Sequence, residues 1–195
     1  MKSSPSRNTG FFPVASFTLS AALLLLASPT PVRAEPGNDH RAPDVPAALQ
    51  VPDGNKVEFH AYAVGVQIYI WTVTPTGSSW VFKAPEAVLF KKEKDALKEH
   101  HVVGLHYAGP TWEHKDGSKV VGSRLASAPS PDPNAIPWLL LRGASHEGDG
   151  KFSEVTYIQR VNTVGGKVPA ASGTLAGQEA RVPYTADYYF YRANH

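Results

Sequence analysis

Cysteine is absent from the 195-residue chain. Without a thiol, the protein cannot use cysteine as a nucleophile, exchange disulfides or hold a metal ion through sulfur. Small exported domains often use disulfides to supplement a limited core, and this chain has none to use. The residues after position 34 still reach the usual size of one domain, so a hydrophobic core can stabilise the fold without covalent cross-links.

Acidic residues are missing from segment 1–34. Lys2 and Arg7 precede an apolar stretch over 17–27, and Val32-Arg33-Ala34 supplies small residues at the −3 and −1 positions of a cleavage site. The apolar stretch is far shorter than the roughly 20 residues that a membrane-spanning helix needs. We therefore predict a signal peptide that is cleaved near Ala34, and a secreted or periplasmic product.

The chain also lacks a strong net charge. Its 19 Lys and Arg and 17 Asp and Glu give a formal net charge of +2. Lys2, Arg7 and Arg33 lie in the predicted signal peptide, so its removal leaves 16 basic residues beside 17 acidic ones. A nucleic-acid partner would need a clustered basic face. We expect no such partner, no membrane span after cleavage and a soluble monomer.

Long helical patterns are missing as well. Residues 35–46 are polar and aperiodic, which predicts a flexible leader, whereas 47–192 shows short apolar runs separated by turn residues. The segment 86–101 also suits a helix, but we favour a short strand over 87–90 followed by a solvated loop or a single helical stretch. The pattern predicts one all-β domain, a β-sandwich or barrel-like fold of mostly antiparallel strands with little helix. The candidate strands cover 57–63, 66–73, 80–82, 87–90, 102–107, 119–125, 136–141, 155–161 and 181–191.

No strong catalytic signature is present: the chain has no phosphate-binding glycine loop, no His-Glu-x-x-His and no Gly-x-Ser-x-Gly. His106 and His114 flank a Gly-Pro turn at 109–110, which could bring two imidazoles together across a hairpin. Neutral imidazole is a common metal ligand, but this spacing is not diagnostic. We therefore predict no cofactor and favour structural or surface histidines over a metal site.

The same region offers a candidate acid–base pair. His106 with Glu113 or Asp116 would serve a hydrolase or a metal-dependent enzyme if a carboxylate lay within hydrogen-bond reach of the imidazole. Asp116-Gly117 is also the usual chemistry of a hairpin turn, which explains this aspartate without catalysis. We favour a protein that is not an enzyme.

Polar and aromatic residues on several strands suggest a binding cleft instead. Gln67 and Tyr69 share one strand face, as do Arg160 and Asn162. Aromatic walls with a few polar groups are typical of a small-molecule or carbohydrate pocket. The alternatives are a buried arginine paired with a carboxylate and a purely structural or stress-related surface protein. The predicted binding residues are Gln67, Tyr69, His106, Trp112, Glu113, Arg160 and Asn162.

Several motifs occur along the chain in a fixed order. They are GVQIY at 65–69, WVFKAPEA at 80–87, HYAGPTWE at 106–113, DGS at 116–118, IPWLLL at 136–141, QRVNT at 159–163 with GG at 165–166, and YTADYYFY at 184–191. Together they resemble the family called domain of unknown function 3455, a group of exported bacterial and fungal proteins. The resemblance covers about 45–192 and implies no activity that can be carried over.

The chain departs from that family in one respect. Members carry a cysteine after the Gln-x-Tyr strand and another after the Gly-Gly turn, which resembles a disulfide pair. Here Trp71 takes the first position, and the second falls near 172–174. Loss of such a bridge would remove on the order of 2–5 kcal/mol of stability. Burial of the Trp71 ring could offset part of this loss.

Overall fold

The computed structural model describes Met1 and residues 41–194. The predicted signal peptide and most of the predicted leader lie outside these residues. The helical structure within 41–194 consists of three short 3₁₀ turns, at Ala47–Leu49, Glu93–Asp95 and Glu99–His101. The strands are β1 Asn55–Thr74, β2 Gly77–Phe90, β3 Val102–Tyr107, β4 Thr111–His114, β5 Lys119–Ala128, β6 Trp138–Glu147, β7 Tyr157–Gly165 and β8 Glu179–Ala193.

The eight strands form one closed antiparallel barrel. Each strand pairs with the next in sequence, and β8 pairs back onto β1. The prediction of an all-β, barrel-like fold with little helix is therefore confirmed. Because the strands run alternately up and down, the β1–β2, β3–β4, β5–β6 and β7–β8 connections all lie at one end of the barrel. We call this the upper end.

The structure decides three points that the sequence left open or placed differently. The sequence suggested a break at Gly65, yet β1 is one continuous strand of 20 residues. A Cβ atom at Gly65 would collide with Glu86 O and Ala87 of the neighbouring strand, so this glycine allows a close approach between strands. The helical alternative over 86–101 is also wrong, because 86–90 belongs to β2 and two 3₁₀ turns follow. Residues 111–114, which the candidate strands left out, form β4.

Large rings fill the lower half of the barrel. Phe152, from the β6–β7 connection, is fully buried and stacks on Phe190 with ring centroids 4.4 Å apart. Phe59 and His114 meet Phe152 edge-on at 5.7 and 5.5 Å. Strand alternation directs Phe59, His114 and Phe190 inward, and Phe152 packs against them from the connection.

The segment before β1 covers part of the outer surface. Leu49 is fully buried against Ala128 and Leu140, outside the β5–β6 pair. The Gln159 amide donates through Nε2 to Leu49 O at 2.6 Å and accepts a hydrogen bond from the Tyr191 hydroxyl. Burial raises the pKa of that hydroxyl, which keeps it protonated as the donor.

Trp71 lies where the family resemblance places a cysteine. Its ring meets Trp80 edge-on at 5.3 Å, and Trp80 Nε1 donates to Ala171 O at 2.9 Å. A Cβ atom at Gly173 would overlap the Trp71 indole. Two tryptophans thus hold the segment after the Gly-Gly turn in place, at the site where the resemblance implies a disulfide.

We expect Trp71→Ala to lower the free energy of unfolding by about 2–3 kcal/mol, since it removes a partly buried ring. Thermal and denaturant unfolding measure the change. Val73→Ala is the matched control, because Val73 is exposed on the same strand. It should change the free energy of unfolding by less than about 0.5 kcal/mol. Equal losses in the two variants would contradict the role assigned to Trp71.

Candidate functional site

The upper end of the barrel encloses a pocket of about 320 Å³, which we call the barrel pocket. The β3–β4 turn, through Pro110, forms part of its edge. The side chains that form the floor are buried, and those that form the rim are exposed or partly exposed. The floor consists of Gln67, His106, Trp112, Leu141 and Tyr188, and the rim includes Phe82, Lys83, Pro110, Arg124 and Arg160.

Trp112 is the centre of the floor and only 1% exposed. The His106 imidazole stacks on it, with centroids 4.2 Å apart and planes at 8°, and Tyr188 meets it edge-on at 5.4 Å. Gly122 faces the same indole, and a Cβ atom there would lie 2.8 Å from the ring. The glycine therefore makes room for the tryptophan inside the barrel.

The His106 imidazole is neutral in this environment. Nδ1 lies 2.9 Å from Thr111 O, and because a carbonyl oxygen only accepts, Nδ1 is the donor. Burial lowers the pKa of His106 to about 3; the hydrogen bond to Thr111 opposes this shift and the charge of Arg160 adds to it. Nε2 is thus left as an acceptor on a ring that lines the pocket.

Two buried N–H donors in the floor lack hydrogen-bond partners within the part of the chain that the structure describes. They are Gln67 Nε2 and Trp112 Nε1. The Gln67 side chain is close enough to the Tyr184 hydroxyl to oppose the burial-driven rise of that group's pKa, yet Nε2 itself forms no hydrogen bond to a described residue. Rotation of the amide about its terminal torsion can turn this donor toward the pocket.

Arg160 is held by a carbonyl group. Its Nε and Nη2 donate to Pro137 O at 3.2 and 2.8 Å, so the alternative of a buried arginine paired with a carboxylate does not describe it. The positive charge of Arg160 also acts on the floor of the pocket. Burial raises the pKa of Tyr188, and the charge of Arg160 opposes that rise. The rim also carries Lys83 and Arg124, and none of the lining residues within 41–194 is acidic.

A β-bulge shapes the rim. The register between β1 and β2 shifts between Ile68 and Tyr69, which leaves Lys83 without a direct partner on β1. As a result two consecutive residues, Phe82 and Lys83, both line the pocket. Lys83 Nζ lies 3.3 Å from Glu179 Oε2, so this cation is paired.

Four of the seven predicted binding residues meet in the barrel pocket: Gln67, His106, Trp112 and Arg160. The other three lie elsewhere. Tyr69 donates its hydroxyl to Gly166 O at 2.7 Å and only adjoins the rim, where its ring meets Phe82.

Glu113 and Asn162 are placed outside the pocket by the strands that carry them. Glu113 follows the inward Trp112 and accepts a hydrogen bond from the Tyr107 hydroxyl at 2.8 Å. Asn162 sits in an irregular part of β7 with φ of 50° and donates to Asp187 Oδ2 at 2.8 Å. The same carboxylate contacts the buried His60 through its other oxygen.

The structure does not bring His106 to a carboxylate or to His114. His114 lies at the lower end, with Nδ1 2.9 Å from Asp116 Oδ2. Burial raises the pKa of the Asp116 carboxyl, but hydrogen bonds from Ser118 and the Lys151 amide, together with His114, hold it below its ordinary value. No group of three or more possible metal-ligating side chains occurs among the described residues.

Further lining residues were not predicted. Tyr188, Leu139, Lys83 and Arg124 also line the pocket, but nothing in the local sequence marked them as binding residues. Tyr188 lies in the YTADYYFY motif, where three neighbouring aromatics give no sign of which one faces the interior. Gly122 was also missed, because a lone glycine in a strand pattern indicates a bulge or a close contact without saying which.

The buried neutral His106 predicts a pH dependence of stability. The pKa of the His106 side chain is 6.5 in the unfolded state and about 3 in the folded state. Between these two pH values the unfolded state binds a proton that the folded state does not. The contribution of the neutral His106 ring to the free energy of unfolding is complete above pH 6.5. It is lost as the pH falls, by up to about 1.4 kcal/mol per pH unit. In His106→Asn, the amide still donates to Thr111 O but does not titrate.

The unfolding free energies of the wild type and of His106→Asn are therefore compared from pH 7.5 to 4.5. At pH 7.5 the difference in unfolding free energy between the two proteins gives the cost of lost packing. We expect this difference to shrink steadily below pH 6.5, because only the wild type loses stability through residue 106. An NMR titration should show no protonation of the His106 ring between pH 7 and 5. Parallel stability curves, or a ring that titrates near pH 6, would overturn this assignment.

Comparisons with known proteins agree with the resemblance seen in the motifs. No curated protein and no solved structure matches the chain. Within the described residues, no helix is long and apolar enough to cross a membrane. The family described as protein of unknown function (DUF3455) matches residues 52–192, and the chain therefore belongs to that family.

Proposed function

We propose that this protein binds a small organic molecule in the barrel pocket. The observation that carries the proposal is the buried Gln67 amide, which lines the pocket with an unpaired donor among the described residues. An unsatisfied buried donor costs about 1–3 kcal/mol, and such a cost is typically tolerated at functional sites. A ligand acceptor atom would recover it.

The dimensions support the same proposal. An eight-stranded barrel has an interior that side chains can fill or that can hold one small ligand. Here the lower half is filled by phenylalanine rings, while about 320 Å³ is enclosed at the upper end, within the usual range for ligand pockets. The floor is aromatic and aliphatic with few polar atoms, as such sites commonly are.

A ligand with an apolar body fits better than a carbohydrate. Each sugar hydroxyl needs an acceptor as well as a donor, and the lining offers mostly donors from Lys83, Arg124 and Arg160. The acceptors in the floor are chiefly His106 Nε2 and the Gln67 carbonyl. The aromatic floor suits a flat apolar group.

Binding is tested by calorimetry and ligand-observed NMR with a panel of bicyclic aromatic compounds, neutral and charged, and of oligosaccharides. We expect saturable binding of an aromatic member, one per chain. Leu139→Trp should weaken it by at least about tenfold, or about 1.4 kcal/mol, because the larger ring occupies the pocket that Leu139 lines. Leu125→Trp is the matched control on the exposed surface and should leave the affinity unchanged.

Three outcomes would contradict the proposal. They are the absence of binding by any aromatic compound, equal weakening by both leucine variants, and binding confined to oligosaccharides. The last outcome would assign the pocket to carbohydrate instead. Circular dichroism and thermal unfolding of both variants establish that each is folded before its affinity is compared.

We also propose that the protein is exported after cleavage of the segment 1–34. The support is the basic start, the apolar stretch and the small residues before Glu35. Expression of the whole chain in a bacterium, followed by fractionation and N-terminal sequencing, should yield a periplasmic or secreted protein that begins at Glu35. Replacing Leu24 with arginine should block export, since it interrupts the apolar stretch. An uncleaved cytoplasmic protein would overturn the proposal.

A further inference from the structure

We propose that the barrel pocket is selective for an anion, a molecule that carries a carboxylate or sulfonate on a flat apolar body. This inference rests on the proposed small-molecule site and adds the chemical class of its ligand. It is carried by the cationic rim, the donors of the floor and the absence of acidic groups among the described lining residues.

The rim presents positive charge that described carboxylates only partly neutralise. Lys83 is paired with Glu179, but neither Arg124 nor Arg160 forms an ion pair within residues 41–194. Arg160 donates to the Pro137 carbonyl and also interacts with the Tyr188 hydroxyl. Two guanidinium groups therefore face one opening without a counter-charge on its wall. A ligand anion would supply that charge, and a cation would be repelled.

Arg160 is positioned before any ligand arrives. Two of its N–H groups are used on Pro137 O, which fixes the plane of the guanidinium beside the Tyr188 floor. A guanidinium has five N–H donors in a rigid fork that matches carboxylate geometry, so donors remain for a ligand. Because the group is already oriented, binding requires little further ordering of the side chain.

The floor complements this charge. A carboxylate accepts hydrogen bonds and donates none, so it suits the unpaired amide donor of Gln67. The neutral His106 ring stacks on Trp112, and the two rings offer a flat apolar surface to the ligand body. Charge at the rim and an aromatic floor together define an amphipathic anion.

Calorimetry with three ligands of nearly equal shape tests the inference: 2-naphthoate, 2-naphthamide and 2-naphthylmethylammonium. The exported protein, as obtained after cleavage of segment 1–34, is used at neutral pH. We expect 2-naphthoate to bind at least about tenfold more tightly than the neutral amide, the factor that a hydrogen bond to a charged group typically contributes. The ammonium compound should bind most weakly. The preference should fall as the salt concentration rises.

Arginine variants test which side chains cause the preference for the anion. Arg160→Gln and Arg124→Gln should each weaken 2-naphthoate while leaving the amide within about twofold, and Arg160→Lys should restore part of the loss. Arg142→Gln is the matched control, because Arg142 is exposed and does not line the pocket. Arg124 makes no ion pair within the described chain, so its variant is informative even if Arg160→Gln is unstable.

The outcomes separate this inference from the proposed function. Equal affinities for the acid and the amide, both abolished by Leu139→Trp, would overturn the anion preference and leave the small-molecule site intact. Preference for the ammonium compound would overturn it as well. Failure of all three ligands would also refute it, and the wider panel with the two leucine variants would then decide the proposed function separately.

Discussion

The pairing of β8 with β1 is the interaction on which the rest of the structure depends. It joins residues more than a hundred positions apart, such as Ala63 with Ala186, and turns an open meander into a closed barrel. Closure gives every strand two hydrogen-bonded neighbours and leaves no edge. It also divides all strand side chains into an interior and an exterior set, so the pocket exists only because this last pairing forms.

The interior is then divided by side-chain size. At the lower end the rings of Phe59, Phe152 and Phe190 pack against one another in the interior. Toward the upper end, glycine at 65 and 122 allows strands and the Trp112 ring to approach closely, and the space above that ring remains open. In the absence of disulfides, the lower half and the Trp71–Trp80 pair provide packing that a small exported domain often obtains from cross-links.

The polar groups at the upper end are arranged differently from those elsewhere in the protein. Near the lower end, Asp116 accepts hydrogen bonds from several partners. On the outer surface, His60 and Asn162 share the Asp187 carboxylate. In the barrel pocket, by contrast, Gln67 keeps an unpaired donor and Arg160 has no carboxylate partner within the described residues. An unpaired buried donor also occurs outside the pocket among the described residues, at Trp138 Nε1, so the candidate binding site is marked by the Gln67 donor together with the cationic rim.

The sequence by itself determined the strand-rich character and the lack of disulfides. It also singled out Gln67, His106, Trp112 and Arg160 as candidate binding residues. These follow from alternation, composition and local motifs, which act over a few residues. It could not decide which alternating face is interior. Trp112 and Glu113 are neighbours, and only the pairing of β4 with β3 and β5 inside a closed barrel directs the indole inward and the carboxylate outward. Likewise, a bulge brings Phe82 and Lys83 together at the rim, and the irregular register of β7 places Asn162 beside Asp187. Tertiary structure alone decided these points, because register and closure depend on contacts between residues far apart in the chain.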